Sequence, residues 1–371
     1  MSTTLGLVFS NIHDGNIPEL TTKRTVASIP FFGRYRLIDF ALSNMVNSDI
    51  VKVGLITKSN YQSLMDHVGS GKDWDLARHY GGLFILPPFG ATENNSLYTT
   101  RFEALKNVIG FLNKSDEEYV VLSDSDMVCN IDFRPVVKKH SESHADVTMI
   151  YVEKDKKQID YGENEIFLTV DKDDCVKEIA YDFVGETANL YTNVLVVSRL
   201  TLINLINDGI SHGKKHFVSQ ILKPLVKTGK VKAFRHEGYY EEMTSLQKYY
   251  DESMKLLKRE YRDEIFRKAN VYTKVKDSAP TRYGDNAIVK NSLIADGCDV
   301  EGEVYNSIIF RGVKIGRGTV VKNCILMQNT LTGESVDMNC IIADKNVVIK
   351  DKRVLSGSEN HPFFISKGTV I

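Results

Sequence analysis

Asn306-Ser307-Ile308-Ile309 is one of four copies of a short pattern, and the others are Asn291-Ser292-Leu293-Ile294, Asn323-Cys324-Ile325-Leu326 and Asn339-Cys340-Ile341-Ile342. Successive copies begin 15, 17 and 16 residues apart. A fixed period of this length is the mark of stacked structural repeats, each of which completes the core that its neighbour lacks. The last part of the chain is therefore predicted to be a repeat domain.

Aliphatic residues inside these copies also recur six positions apart. Ile309, Ile315 and Val321 form one such series, and Ile342 and Val348 form another. A six-residue step nested in a longer coil predicts a parallel β-helix. An ordinary β-sandwich with glycine-rich turns is the alternative.

Some side chains of this domain are larger than a narrow β-helix interior needs. They are Phe310, Met327 and Met338. We expect such residues to face outward, where apolar patches often mark partner surfaces. The β-helix is accordingly expected to supply much of the contact between subunits.

The first two-thirds of the chain alternates apolar, β-branched runs with helical patterns. The predicted buried strands are Leu5–Phe9, Lys52–Thr57, Tyr119–Leu122 and Val147–Val152, and the helical patterns between them include Phe40–Asn47, Arg101–Leu112 and Arg134–His144. This alternation predicts a mostly parallel sheet with helices on both faces. Ligands of such sheets bind beyond the carboxyl ends of strands, here after Phe9 and Leu122.

The order of these patterns predicts three segments. Residues 1–244 are expected to form the α/β domain and residues 286–371 the β-helix. Residues 245–285 between them hold a highly charged helical stretch, Ser245–Arg267, and a connector from Asp277 to Asp285 that contains Pro and Gly.

Charge and cysteine content exclude several classes of protein. Of 371 residues, 47 are Lys or Arg and 48 are Asp or Glu, so the concentrated basic face of a nucleic-acid-binding protein is not expected. The start of the chain has no signal-peptide pattern, and no apolar run is long enough for a membrane span. The five cysteines form no CxxC pair, which favours reduced thiols and a cytoplasmic location.

One stretch of the α/β domain resembles a known family. Thr22-Lys23-Arg24, Pro30-Phe31 and Gly33-Arg34-Tyr35-Arg36-Leu37-Ile38-Asp39-Phe40-Ala41-Leu42-Ser43-Asn44 resemble the signature of bacterial glucose-1-phosphate adenylyltransferases. The resemblance implies a Rossmann-like, glycosyltransferase-A-like nucleotidyltransferase domain with a mixed sheet, followed by a left-handed parallel β-helix. It also implies conversion of ATP and glucose 1-phosphate to ADP-glucose and diphosphate for glycogen synthesis, in a tetramer that uses Mg²⁺.

The phosphate-binding loop of that family is missing. Active members place GGxGTRL after the first strand, where backbone N–H groups and an Arg hold the triphosphate. This chain has Asn11-Ile12-His13-Asp14-Gly15-Asn16-Ile17, in which Asp14 is expected to face the polyanion with the wrong charge. The lysine of the family's KP pair aligns with Val26, and its FGG turn has become Phe31-Phe32-Gly33. Loss of phosphate binding is expected.

Two carboxylates match the family's metal positions. Asp126, in Leu122-Ser123-Asp124-Ser125-Asp126, resembles the Asp that holds Mg²⁺, and Glu242 stands where the second metal carboxylate is expected. Such a pair suits a metal clamp on reacting phosphates. Alternatively, Asp126 is a solvated carboxylate at a strand end.

Three basic residues match a different site of the family. Lys23, Arg24 and Arg36 correspond to positions around a site for phosphorylated sugar activators such as fructose 1,6-bisphosphate. Guanidinium groups bind phosphate in a bidentate manner, and lysine adds a point charge. Salt bridging at a subunit contact is the alternative role.

This pattern of losses resembles the regulatory subunits of the family, which act in mixed tetramers with a catalytic subunit. We therefore expect a regulatory, catalytically deficient subunit whose partner carries out the reaction. A weakly active adenylyltransferase that uses Asp126 and Glu242 is one alternative, and a sugar-phosphate-binding scaffold protein is another.

Overall fold

The computed structural model describes residues 3–88, 98–159 and 165–371. The chain divides into two compact units. The first, called the sheet unit, comprises Met1–His13, Phe40–Tyr240 and Asn270–Tyr272. The second, called the β-helix unit, comprises Asp14–Asp39, Glu241–Ala269 and Thr273–Ile371. Most of the signature segment thus belongs to the β-helix unit, although it lies near the start of the chain.

Within the described residues, nine strands form the sheet of the sheet unit. They are β1 (Thr4–Phe9), β2 (Lys52–Ile56), β3 (Gly82–Leu86), β4 (Tyr119–Asp124), β5 (Val147–Asp155), β6 (Phe167–Val170), β7 (Val176–Ala180), β8 (Thr187–Ser198) and β9 (Val231–Arg235). The strand order is β7-β6-β8-β4-β1-β2-β3, and β5 pairs with β8 and β9. The four strands predicted from sequence are confirmed.

The sheet is mixed, and its parallel part positions the site. β1 pairs in parallel with β2 and β4, whereas β8 runs antiparallel to β4, β5 and β6. Alternate apolar side chains of β1, β4, β5 and β8 are buried in one hydrophobic core on one face of the sheet. Phe9 is in register with Asp124, so the carboxyl ends of β1 and β4 lie side by side.

The α-helices of the described residues are Pro18–Thr21, Leu37–Asn47, Gln62–Val68, Arg101–Asn107, Ile109–Asn113, Phe133–Ser143, Arg199–Ser211, Lys223–Thr228, Leu246–Lys255 and Arg259–Phe266. Two stretches expected to be continuous are each divided in two, one between Asn107 and Ile109 and the other between Lys255 and Arg259. The Ser245 side chain caps the helix that follows it by accepting a hydrogen bond of 3.0 Å from the Lys248 N–H.

The predicted repeat domain is a parallel β-helix, as expected for the left-handed β-helix of the family. Between residues 282 and 365, all of them described, three sheets of five parallel strands each run along the coils. The strands are Arg282–Tyr283, Ile288–Lys290, Leu293–Ile294, Asp299–Val300, Glu303–Tyr305, Ile308–Ile309, Lys314–Ile315, Val320–Lys322, Ile325–Leu326, Leu331–Thr332, Asp337–Asn339, Ile341–Ala343, Val348–Ile349, Val354–Ser356 and Phe363–Ile365.

The repeated asparagines have a structural explanation. Asn291, Asn306 and Asn323 have φ values of 45°, 46° and 52°, in the left-handed region that Asn tolerates better than other residues with side chains. Their side-chain amides form a ladder from coil to coil. Asn306 Nδ2 donates to Asn323 Oδ1 at 2.6 Å, and Asn323 Nδ2 donates to Asn339 Oδ1 at 2.9 Å. Each copy of the pattern therefore marks a corner of the coil.

The expectation of an outward-facing side chain is wrong for Met338, whereas Phe310 and Met327 are not part of the interior core and are covered by other residues. All three side chains are fully buried, and Met338 belongs to the interior core of the β-helix. Small residues such as Cys324 and Ala343 lie in the same interior core, so it has room for one long, unbranched side chain.

All five cysteines are free, and only Cys175 is not buried. Among the described residues, no helix has both the length and the apolar character that a membrane crossing requires.

We predict that Asn306→Ala lowers the free energy of unfolding by about 2 kcal/mol, because alanine is disfavoured at positive φ and the ladder loses a rung. Equilibrium urea unfolding followed by circular dichroism measures the change. Asn306→Gly is the matched control, because glycine tolerates the backbone but also lacks the amide, and its loss should be about half as large. Equal losses would show that the backbone conformation contributes nothing.

Candidate functional site

Charged side chains meet at the carboxyl ends of β1 and β4 in the sheet unit. Asp124 is the last residue of β4, Asp126 follows it, and both are buried. His13 lies in the segment after β1, and Arg101 begins the helix Arg101–Asn107. We call these four residues the strand-end cluster. It lies at the edge of the sheet where the sequence predicted a ligand site.

Both carboxylates of the cluster receive donors from the protein itself. His13 Nδ1 lies 2.5 Å from Asp126 Oδ2 and 3.7 Å from Asp124 Oδ2. The guanidinium of Arg101 forms an ion pair with Asp124 Oδ2. Burial raises the pKa of Asp124, and the nearby Asp126 raises it further, whereas Arg101 and His13 act in the opposite direction.

Some polar atoms in this region are buried without a hydrogen-bond partner among the described residues. Asp124 Oδ1 and Asn11 Nδ2 are among them. The oxygen of the same Asn11 amide accepts a hydrogen bond of 2.9 Å from the Tyr98 hydroxyl. The segment after β1 therefore holds side chains in fixed positions against the sheet, where active members of the resembled family have a glycine-rich loop.

Asp14 does not act as the sequence suggested. In the β-helix unit its Oδ1 accepts a hydrogen bond of 2.7 Å from the Val26 N–H, and its carbonyl oxygen accepts one from the Thr21 hydroxyl at 2.7 Å. The Asp14 carboxylate thus binds a backbone N–H of the same segment. Val26 is buried, and because its side chain is uncharged, it supplies no cation at the position where the family has lysine.

A second charged group lies within the β-helix unit. Arg24 is buried, and its Nη2 lies 2.8 Å from both carboxylate oxygens of Asp344. Arg24 Nη1 is buried without a partner among the described residues. One guanidinium nitrogen therefore has hydrogen-bonding capacity that the described part of the chain does not use.

Lys345 adjoins this ion pair. Its pKa is lowered to about 6, first by burial and then by the positive charges of Arg36 and Arg24, while Asp344 opposes the shift and Lys367 adds to it. We call Arg24, Arg36, Asp344, Lys345 and Lys367 the cation cluster. The positive charges of Arg24, Arg36 and Lys367 all act on Lys345, and Asp344 is the one carboxylate of the cluster. An excess of positive charge of this kind is expected at an anion site.

Residues 17–168 match the model of the nucleotidyl transferase family, and residues 276–366 match the GlmU-like C-terminal hexapeptide family. The chain is 35% identical to the glycogen biosynthesis protein GlgD of Bacillus subtilis, over 99% of this chain and 96% of the relative. The chain belongs to the glucose-1-phosphate adenylyltransferase family.

Other relatives cover the chain almost as fully. Glycogen biosynthesis protein GlgD of Geobacillus stearothermophilus is also 35% identical over 99% of this chain and 96% of its own length. Glucose-1-phosphate adenylyltransferase of Fervidobacterium nodosum is 30% identical over 95% of this chain and 85% of its own length. The resemblance seen in the signature segment therefore extends over both units.

For this family member, the predicted metal pair stays a prediction. Asp126 lies in the sheet unit beside His13, whereas Glu242 is a half-buried residue of the β-helix unit, at the end of the strand Tyr240–Glu242. Mg²⁺ prefers oxygen ligands and retains several waters. His13, Asp124 and Asp126 each place one possible ligand atom within 4.8 Å of the others. Because His13 and Arg101 already pair with the two carboxylates, Mg²⁺ would have to compete with them for these oxygens.

Of the three predicted effector residues, two belong to the cation cluster. Arg24 and Arg36 are members, and Lys23 is an exposed residue beside Arg24. Sequence reasoning missed Asp344, Lys345 and Lys367, because they lie in the last coils of the β-helix, more than 300 residues from Arg24. It also noted His13 only as part of the altered loop and Arg101 only as the start of a helical pattern, and it identified neither as a partner of a carboxylate.

We predict that His13→Leu lowers the free energy of unfolding by about 2 kcal/mol at neutral pH, because Asp126 is then buried without its donor. Thermal unfolding with and without Mg²⁺ measures the change, and Mg²⁺ should stabilise the variant more than the parent chain. The double variant His13→Leu, Asp126→Asn should recover most of the loss. If the free-energy losses of the two single variants simply add in the double variant, His13 and Asp126 do not interact.

Proposed function

We propose that this chain is a regulatory subunit in glycogen biosynthesis, deficient in catalysis, that assembles with a catalytic glucose-1-phosphate adenylyltransferase. Family membership supports the role in glycogen biosynthesis. The observation that carries the catalytic deficiency is the strand-end cluster, in which His13 and Arg101 occupy the carboxylates that a metal–nucleotide complex needs.

Nucleotidyl transfer depends on positioning a triphosphate and stabilising its developing charge. Donors and cations that do this are preorganised, and loss of one typically costs about 3 kcal/mol of transition-state stabilisation. In this chain, the side chains of His13 and Asn11 occupy the segment after β1, and Val26 supplies no charge. Each departure weakens the binding of a polyanion, so their sum supports a very low intrinsic activity.

Retention of the whole fold supports the role of a partner. The interior core of the β-helix and the strand pairing of the sheet are complete although the catalytic loop is absent. A chain that had lost every function would no longer be under selection to retain these features. We propose that the chain is retained for its contacts in a mixed tetramer, in which the partner subunit produces ADP-glucose.

We predict that the purified chain alone produces little or no ADP-glucose from ATP and glucose 1-phosphate with Mg²⁺. Mixed with a catalytic subunit from the same organism, it should co-elute and raise the partner's kcat or substrate affinity. Product formation and size-exclusion chromatography measure the two effects. Turnover by the chain alone at the rate of the catalytic subunit, lost on Asp126→Ala, would overturn the proposal. If the two chains elute separately and the kinetics of the catalytic subunit are unchanged, the proposed assembly with that subunit is wrong.

The cation cluster is proposed as the site of a phosphorylated effector. Arg24 Nη1 is a buried donor without a partner among the described residues, and Asp344 is the one carboxylate in the cluster. An anion bound there would receive charge-assisted hydrogen bonds. It would also raise the pKa of Lys345, because a negative neighbour favours the protonated amine. Lys23, exposed beside Arg24, is proposed as a further contact.

We predict that sulfate binds about tenfold more tightly at pH 6 than at pH 8. In the ligand-free chain Lys345 has a pKa of about 6, so it must take up a proton when an anion binds at higher pH. Isothermal titration calorimetry in buffers of different ionisation enthalpy measures both the affinity and the proton uptake. Sulfate itself does not titrate in this range.

Lys345→Met should weaken sulfate binding and remove its dependence on pH, whereas Lys350→Met, an exposed lysine of the same coil, should change neither. In the mixed enzyme, the Lys345 variant should lose the response to fructose 1,6-bisphosphate. A pH dependence that survives in Lys345→Met would place the titrating group elsewhere.

A further inference from the structure

A separate cavity of about 560 Å³ opens within the β-helix unit. The turn Phe32–Tyr35, the helix Arg259–Phe266 and the strand Leu293–Ile294 all contribute to its lining. Its volume falls in the range typical of small-molecule sites. No residue of the cation cluster lines it, so it is not part of the proposed effector site.

Aromatic rings form one wall of the cavity. Phe266 stacks on Phe32 with the ring centroids 5.5 Å apart, and its ring lies 5.1 Å from that of Tyr35. Phe32 and Tyr35 are buried, and Phe266 is half-buried. With Leu293 and Ile294 these rings give a rigid apolar surface against which a planar group can lie.

Guanidinium groups form the rim, and the carboxylates beside them are already paired. Asp263 forms ion pairs with Arg259 and Arg267, and Asp296 forms one with Arg311. Arg34 and Arg262, which also line the cavity, contact no carboxylate among the described residues. Arg34 donates to the Tyr35 hydroxyl at 3.3 Å, and Arg262 donates to the Leu257 carbonyl at 3.5 Å. The rim is therefore positive overall.

Phe32 holds a strained conformation to form this wall. Its φ is 45°, in the left-handed region where a bulky side chain is a clear outlier. The family signature has glycine at this position, which would adopt the same backbone without strain. Backbone strain of this kind persists where the surroundings enforce it, and it clusters at binding sites. The phenyl ring of Phe32 therefore occupies this wall although the backbone beneath it is in an unfavourable conformation.

We infer that this cavity binds an aromatic anion, with the planar ring of the ligand against Phe32 and Phe266 and its negative group between Arg34 and Arg262. The ring supplies apolar contact and stacking, and the anion supplies charge-assisted hydrogen bonds to two guanidinium groups that have no carboxylate partner among the described residues. A planar ring alone would leave the two guanidinium groups without an anion, and an anion alone would leave the aromatic wall without an apolar contact.

The test is calorimetric titration of the full chain, without any partner subunit, with 1-naphthyl phosphate. We expect saturable binding that is at least about tenfold tighter than that of inorganic phosphate or of 1-naphthol, each of which lacks one half of the ligand. AMP and phenylpyruvate are then compared, and the tighter of the two assigns the site to nucleotides or to aromatic carboxylates. Absence of binding, or equal binding of inorganic phosphate, overturns the inference.

Three variants locate the binding. Arg262→Met keeps most of the side-chain volume without its charge, and Phe266→Leu removes the ring; each should weaken binding about tenfold. Phe32→Gly restores the residue of the family signature, so it should fold at least as well as the parent chain and still lose affinity. Unchanged affinity in all three overturns the assignment to this cavity.

Lys268→Met is the matched control, because Lys268 is exposed, lies just beyond the same helix and pairs with Glu264. Its affinity should equal that of the parent chain. His13→Asn tests whether the probe binds at the strand-end cluster instead. Loss of binding in His13→Asn but not in Arg262→Met would place the ligand in the sheet unit and overturn the inference.

Discussion

The buried ion pair between Arg24 and Asp344 joins residues that are 320 positions apart. A buried guanidinium and a buried carboxylate must remain together, because separating them leaves a charge without water or partner. This requirement fixes the segment Asp14–Asp39 within the β-helix unit. It also determines what lies around the pair, since Lys345 follows Asp344 directly and acquires its lowered pKa there.

The same rule governs the strand-end cluster, with a different outcome. There, two buried carboxylates at the end of β4 receive His13 and Arg101 as donors from the chain. In a nucleotidyltransferase, such carboxylates are free to bind a metal, and the metal and its nucleotide supply the neutralising charge. A chain that neutralises its own carboxylates keeps the fold stable without ligands, and it leaves little for a metal–nucleotide complex to gain.

The sheet unit and the β-helix unit thus differ in how their charges are balanced. In the sheet unit, donors from the chain meet both carboxylates of the cluster. In the β-helix unit, the cation cluster contains four basic residues and one carboxylate, and Arg24 Nη1 is a buried donor without a partner among the described residues. An excess of positive charge favours binding of an anion. This contrast is why we assign regulation, and not catalysis, to the part of the chain that retains binding capacity.

The sequence by itself determined the architecture. The period of the asparagine repeats defines the coils of the β-helix, because an amide ladder and a left-handed corner must recur once per coil. The alternation of strands and helices defines the sheet, and the altered loop after Phe9 indicates the loss of phosphate binding. These features are local or periodic, so they can be recognised along the chain.

Only the tertiary structure decided which side chains meet. Nothing in the sequence pairs His13 with Asp126, or brings Lys345 beside Arg24 and Arg36. Nor could composition show that Phe310 and Met327 are buried, since burial depends on which other segments cover a side chain. Contacts of this kind join residues far apart in the chain, so they produce no repeating pattern in the sequence. They depend on packing and on the balance of buried charges, which exist only once the chain has folded.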